Sequence, residues 1–132
     1  MKFENKRKNH LKSKLVIDQL FSSGRALKKS PFRLVYLVES EGSFIGDKIL
    51  VSVPKRNFKL AVSRNRIKRV ISEIYRIHSI DLKTLLASQN RSLAIGIVYI
   101  GKKEPTYSEA DQKIQGLLEE LIQKLKLENE HI

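Results

Sequence analysis

The stretch Leu93–Ile100, LAIGIVYI, constrains the fold of this 132-residue chain more than any other. It is apolar on both faces, which reads as a central strand, and Gly101 ends it. Phe32–Val38 (FRLVYLV), rich in β-branched and aromatic residues and preceded by Pro31, reads as a second strand. Ile45–Val53 alternates at Ile49, Val51 and Val53; Gly46-Asp47 divides it or not, and Pro54 ends it. Glu39–Ser43, with Gly42, reads as the turn between these stretches.

Helices surround these strands. Lys14–Ser22 carries Leu15, Val16, Ile17, Leu20 and Phe21 at helical spacing, with Gly24 as a left-handed cap. Arg64–His78 places Ile67, Val70, Ile71, Ile74 and Ile77 on one stripe, with Ser63 as N-cap. Thr106 and Glu109 have capping-box spacing. They open a last helix with Ile114, Leu117, Leu118, Leu121, Ile122 and Leu125 on one side. The order is helix, two or three strands, helix, strand, helix. That is an α+β, single-domain α-β sandwich of order αβββαβα with helices packed on one face of the sheet. Residues 1–12 read as a basic flexible arm, 13–127 as the domain and 128–132 as a tail.

With 41% hydrophobic residues, a chain this long buries a core without disulfides or a structural metal, and it contains no cysteine. No apolar run approaches the roughly 18 residues that span a bilayer, and the start MKFENKRKNHLK lacks the apolar region of a secretory signal. A soluble, cytoplasmic protein with no membrane association and no evident obligate protein partner is expected. Charge is the strongest bulk signal: 26 Lys and Arg against 14 Asp and Glu give a net +12. Residues 1–76 hold 19 bases and 6 acids, whereas 77–132 hold 7 and 8. Such confinement points to a polyanion-binding face.

The centre of that charge is Lys55–Arg76. Its bases are Lys55, Arg56, Lys59, Arg64, Arg66, Lys68, Arg69 and Arg76, and its one acid is Glu73. On a helix, Asn65, Lys68, Arg69, Ser72 and Arg76 fall opposite the Ile/Val stripe, while Arg64 and Arg66 flank it. Cations crowding the first turns oppose the macrodipole but suit phosphate. Arginine forks hold phosphate bidentately, and Asn65 both donates and accepts. With one acid, i,i+4 pairing cannot be the purpose. RNA fits better than duplex DNA, because no helix-turn-helix pattern precedes the helix.

The segment VSVPKRNFKLAVSRNRIKRVISEIYR closely resembles the signature of the bacterial ribonuclease P protein component. Lys55 and Arg56 match its basic pair. Arg64, Asn65, Arg66, Ile67, Lys68, Arg69, Tyr75 and Arg76 match, in order, its Arg-Asn-Arg helix. Phe21, Gly24 and Arg25 are similar to the end of its first helix, and Ser30-Pro31-Phe32 with Tyr36 to the strand that follows. Ile17 stands where the family usually has a first aromatic, and Ser72 where it usually has Arg.

The resemblance implies a left-handed βαβ crossover, an exception to the usual hand. It also implies that the Arg-Asn-Arg helix contacts a catalytic RNA subunit, and the charge cluster adds Lys59 to that RNA-binding set. A cleft between the first helix and the sheet, lined by Ile17, Phe21, Arg25 and Tyr36, would hold the 5′ leader of precursor tRNA, with aromatics stacking at about 1–3 kcal/mol per base. The protein would have no catalytic residue and no metal ligand of its own. Mg²⁺ would be held mainly by the RNA subunit, which hydrolyses the phosphodiester to leave a 5′-phosphate on the tRNA. His10, His78 and His131 are scattered, and so are the acids of the first 76 residues, which fits no protein nuclease site. A ribosomal or ribosome-assembly RNA-binding protein is the alternative from another class.

Overall fold

The computed structural model describes residue 11 and residues 13–130, except 40–45. It contains α1 (Lys14–Ser23), β1 (Arg25–Lys29), β2 (Phe32–Glu39), β3 (Gly46–Ser52), α2 (Ala61–His78), α3 (Ile80–Gln89), β4 (Ser92–Tyr99) and α4 (Tyr107–Glu130). The arm at 1–10, residue 12, the turn at 40–43, His10 and His131 lie outside the described residues.

The four strands form one sheet in the order β1-β2-β4-β3. β4 is central, as its two-sided apolarity requires, and is buried along nearly its whole length. It pairs antiparallel with β2 and parallel with β3. The parallel pair is joined through α2 and α3, a crossover that carries the chain over one face of the sheet. Backbone at Leu11 extends the β3 edge, its N–H donating to the Ile49 carbonyl at 2.9 Å.

Strand alternation divides the core in two. Phe32, Leu34 and Tyr36 of β2 and Leu93, Ile95, Ile97 and Tyr99 of β4 face α2, α3 and α4, in a cluster with Ile67, Ile71, Ile74, Leu82, Leu86 and the α4 stripe. Val35 and Ala94 face the other way, against Leu20 and Leu11, with Val16, Ile17, Leu37 and Leu50 packed around them. The sheet is therefore covered on both faces, with α1 alone on the second, rather than carrying all its helices on one side.

Several boundaries differ from expectation, each for a local reason. The strand after α1 is Arg25–Lys29, in which only Leu27 is buried; the rest of this lysine-rich edge strand is exposed. It supplies the extra strand, and Gly46-Asp47 does not split the later one, because β3 begins at Gly46. A helix not expected, α3, precedes β4. Its Leu82 and Leu86 are buried, and Asn90 in the left-handed region closes it. α2 starts at Ala61, three residues before Arg64, with Leu60 at the N-cap and no side-chain cap, so Ser63 lies inside the helix. Tyr75 is buried where Ile77 was expected, and Ile77 is exposed.

Gly24 is not left-handed: its φ is −70° and ψ 159°. Its need for glycine is steric, since a Cβ there would lie 2.3 Å from the Leu20 carbonyl oxygen and 2.9 Å from that of Tyr36. The Thr106 cap forms: its hydroxyl accepts from the Glu109 N–H at 3.1 Å, and the Glu109 carboxylate accepts from that hydroxyl at 3.0 Å. α4 continues through the expected tail to Glu130. Glu128 there is ion-paired with Arg25.

Candidate nucleic-acid interface

The cationic surface is built on the β3–α2 loop and on α2. The loop turns at Pro54, whose carbonyl accepts from Asn57 N–H at 3.2 Å. Phe58 anchors it, buried with its ring 6.1 Å from that of Tyr99. Arg64 closes it, donating from Nη1 to the carbonyls of Phe58 at 2.6 Å and Lys59 at 3.0 Å. Lys55, Arg56 and Lys59 are thereby held outward and exposed.

On α2, burial of Ile67, Ile71, Ile74 and Tyr75 turns the opposite side to solvent. Asn65, Arg66, Arg69, Ser72 and Arg76 are exposed there, and Lys68 is half-buried. The structure thus gathers Lys55, Arg56, Lys59, Asn65, Arg66, Lys68, Arg69 and Arg76 on one loop and one helix. Arg64 differs from the rest: half-buried and turned onto backbone carbonyls, it shapes the loop. The helix start also moves the bases. Its first turn, Ala61–Ser63, is uncharged, and the cations begin in the second.

Two of these arginines have carboxylate partners. Arg66 Nε and Nη2 donate to the two oxygens of Glu104 at 2.7 and 3.0 Å, and this pairing holds the Glu104 carboxyl below its ordinary range. Arg76 donates to Glu73 within the helix, at 2.5 Å. Glu104 lies in the β4–α4 loop, 38 residues from Arg66, and nothing local in the sequence marks it. His78 is explained by its partner: Nε2 meets Asp111 Oδ1 at 2.6 Å and joins α2 to α4.

The second expected site comes together only in part. Ile17 packs into the small core, and Phe21 remains 47% exposed at its margin. Tyr36 is on the wrong face for a cleft under α1. It is 2% exposed, in the large core, paired in register with Arg25 and near Glu128. Burial first, then the Glu128 charge, raises its hydroxyl above the ordinary phenol range. Arg25 shares that face with Tyr36. Val35, one residue earlier, is a buried β2 side chain on the α1 side.

Sequence reasoning missed Val35 and its neighbour Gly96, where a Cβ would meet Val35 Cγ2 at 3.0 Å, Leu20 Cδ2 at 3.3 Å and Phe21 Cζ at 3.4 Å. A glycine on the central strand thus admits α1 closely. Beyond Phe21, one row across this face runs Lys28, Arg33, Val98 and Ser52, with both bases exposed. An apolar strip therefore adjoins a cationic row. Among the described residues, no three His, Asp or Glu side chains are grouped to hold a metal ion, and no helix is long and apolar enough to cross a membrane.

Comparison with known proteins bears on this geometry. The family profile for Ribonuclease P matches residues 5–125. The ribonuclease P protein component of Porphyromonas gingivalis is 31% identical over 99 residues, covering 75% of this chain and 72% of that one. The same component of Borrelia turicatae is 31% identical over 114 residues, covering 86% and 91%. Among solved structures, the Staphylococcus aureus RNase P protein has a TM-score of 0.68 at 18% identity, covering 84% of this chain and 93% of its own. That from Thermotoga maritima has a TM-score of 0.61 at 16% identity, covering 83% and 94%. The solved structures share the α+β fold, and the match of the profile across most of the sequence goes further: the chain belongs to the ribonuclease P protein component family.

Proposed function

We propose that this chain is the protein subunit of ribonuclease P in a cytoplasmic ribonucleoprotein, where it binds the catalytic RNA and the 5′ leader of precursor tRNA. The observation that carries the reading is the cationic loop and helix from Lys55 to Arg76, in a chain of this family. Its side chains neutralise and orient RNA phosphates, a contact that weakens steeply with salt. Phe21, with Val35 and Gly96 beneath it and Lys28 and Arg33 beside it, suits a single-stranded leader: a ring to stack on and cations to follow the backbone. Ile17 supports Phe21 from the small core. Mg²⁺ held by the RNA subunit supplies charge stabilisation for phosphodiester hydrolysis. The protein contributes position, holding the leader and lowering repulsion between the two RNAs.

Reconstitution tests this. The protein is added to a bacterial ribonuclease P RNA and a 5′-labelled precursor tRNA at low Mg²⁺. Cleavage at the mature 5′ end should rise above that of RNA alone. Phe21→Ala should weaken binding of leader-bearing precursor and leave mature tRNA unchanged, at a modest stability cost of about 1 kcal/mol, because only half of the ring is buried. Binding to the RNA without any gain in cleavage would instead favour a ribosomal or assembly role.

A further inference from the structure

Resting on the reading of Lys55–Arg76 as an RNA face, we propose that Leu60 and Val62 form an apolar contact for an unstacked RNA base, which selects looped RNA over duplex. Leu60 is 71% and Val62 69% exposed, in the middle of the most cationic surface of the protein. Neither serves the fold. Leu60 occupies the N-cap of α2 with extended dihedrals, where a Ser or Asp would satisfy a free amide and a leucine cannot.

Nor can Leu60 fold back under cover. Phe58 is anchored against Tyr99, Arg64 grips the carbonyls of Phe58 and Lys59, and the Arg64 N–H donates to the Leu60 carbonyl at 3.2 Å. The backbone is held on both sides of a side chain displayed to water. Val62 lies on the outer stripe of the helix, about 40° around the axis from Arg66 and about 20° from Arg69.

The surroundings identify the occupant. Lys55, Arg56, Lys59, Asn65, Arg66 and Arg69 are exposed around the pair, no acid occurs between Lys55 and Ser72, and Glu104, brought in by the fold, is taken up by Arg66. A partner must therefore be a polyanion that also carries uncharged flat surface. RNA with bases out of the stack has both; a duplex presents the same phosphates but keeps its base faces covered.

The test is Leu60→Gln with Val62→Thr, which removes apolar surface and leaves the charge unaltered. Binding is measured across a salt series against a transcribed bacterial ribonuclease P RNA and against a blunt mixed-sequence RNA duplex. The double variant should bind ribonuclease P RNA about tenfold more weakly. Its salt slope should match wild type, and duplex affinity should be unchanged. Leu60→Met with Val62→Ile, which keeps apolar surface, should bind as wild type. Unchanged affinity of the polar variant, or an equal loss on the duplex, overturns the proposal. Arg66→Ala with Arg69→Ala separates the two levels. If it lowers the salt slope while the polar variant binds normally, only the apolar contact fails. If neither variant alters binding, the RNA-face reading fails with it.

Discussion

Asp47 offers a quantitative test of what holds the cationic helix α2 in place. Its carboxylate, with the side chain 4% exposed, is on β3 and accepts from Lys83 Nζ of α3 at 2.7 and 2.8 Å and from the Tyr75 hydroxyl of α2. Burial first, then the Asp47 charge, pushes the Tyr75 hydroxyl well above the ordinary phenol range, so it remains a donor. Asp47→Ala strands that hydroxyl in the core, at about 1–3 kcal/mol, and removes two charge-assisted bonds. Relief from burying the carboxylate offsets part of this. Lys83, about a third exposed, turns to water at little cost.

The net expected loss from Asp47→Ala is about 2–4 kcal/mol. In urea unfolding followed by circular dichroism, that lowers the midpoint by about 1–2 M at a typical slope. Tyr75→Phe alone should cost about 1.5–2 kcal/mol, and the double variant about 1–2 kcal/mol less than the sum, because no stranded hydroxyl is left. Strict additivity, or an Asp47→Ala midpoint within about 0.3 M of wild type, would refute the three-way contact as the anchor of α2 and α3 on β3.

Arg64→Ala should lower stability by about 1–3 kcal/mol and open the 55–60 loop to protease, because two carbonyls lose their donor; Arg69→Ala should leave melting unchanged and reduce the salt slope of RNA binding by about one. Glu104→Gln should tighten RNA binding, since it frees the Arg66 fork that a phosphate requires. Because Arg66 depresses the Glu104 carboxyl, its blocking pair is intact above the ordinary glutamate range and is lost as pH falls through the depressed value. Wild-type affinity should therefore approach that of Glu104→Gln in acid, as read by filter binding across pH. Gly24→Ala should cost about 1–3 kcal/mol in thermal melting, because backbone oxygens must move to admit the methyl.

The parts legible in the sequence are those where one face decides the pattern. α4 has its Thr106 cap and an uninterrupted leucine stripe, and β4 has no polar face. The basic surface of α2 was equally plain. What escaped has physical reasons. β1 is a polar edge with one buried leucine, and α3 exposes Ile80 while burying Leu82, which blurs its stripe. The start of α2 carries no cap to announce it. The face of Tyr36 was unreadable because FRLVYLV belongs to a strand buried on both sides, so alternation leaves no mark. Glu104 meets Arg66 only through the tertiary fold.

The sheet's two sides are sealed to different depths. Among the described residues, 22 buried hydrophobic side chains form the core under α2, α3 and α4, whereas four, Leu11, Leu20, Val35 and Ala94, form the one under α1. Among the described residues, the first helix is then held by much the smaller core and should open more readily than the cationic helix α2 across the sheet. Its amides should exchange with solvent well before those of Ile71 and Ile74. A strand of RNA lodged beneath it should slow that exchange, so α1 protection reports leader occupancy independently of cleavage.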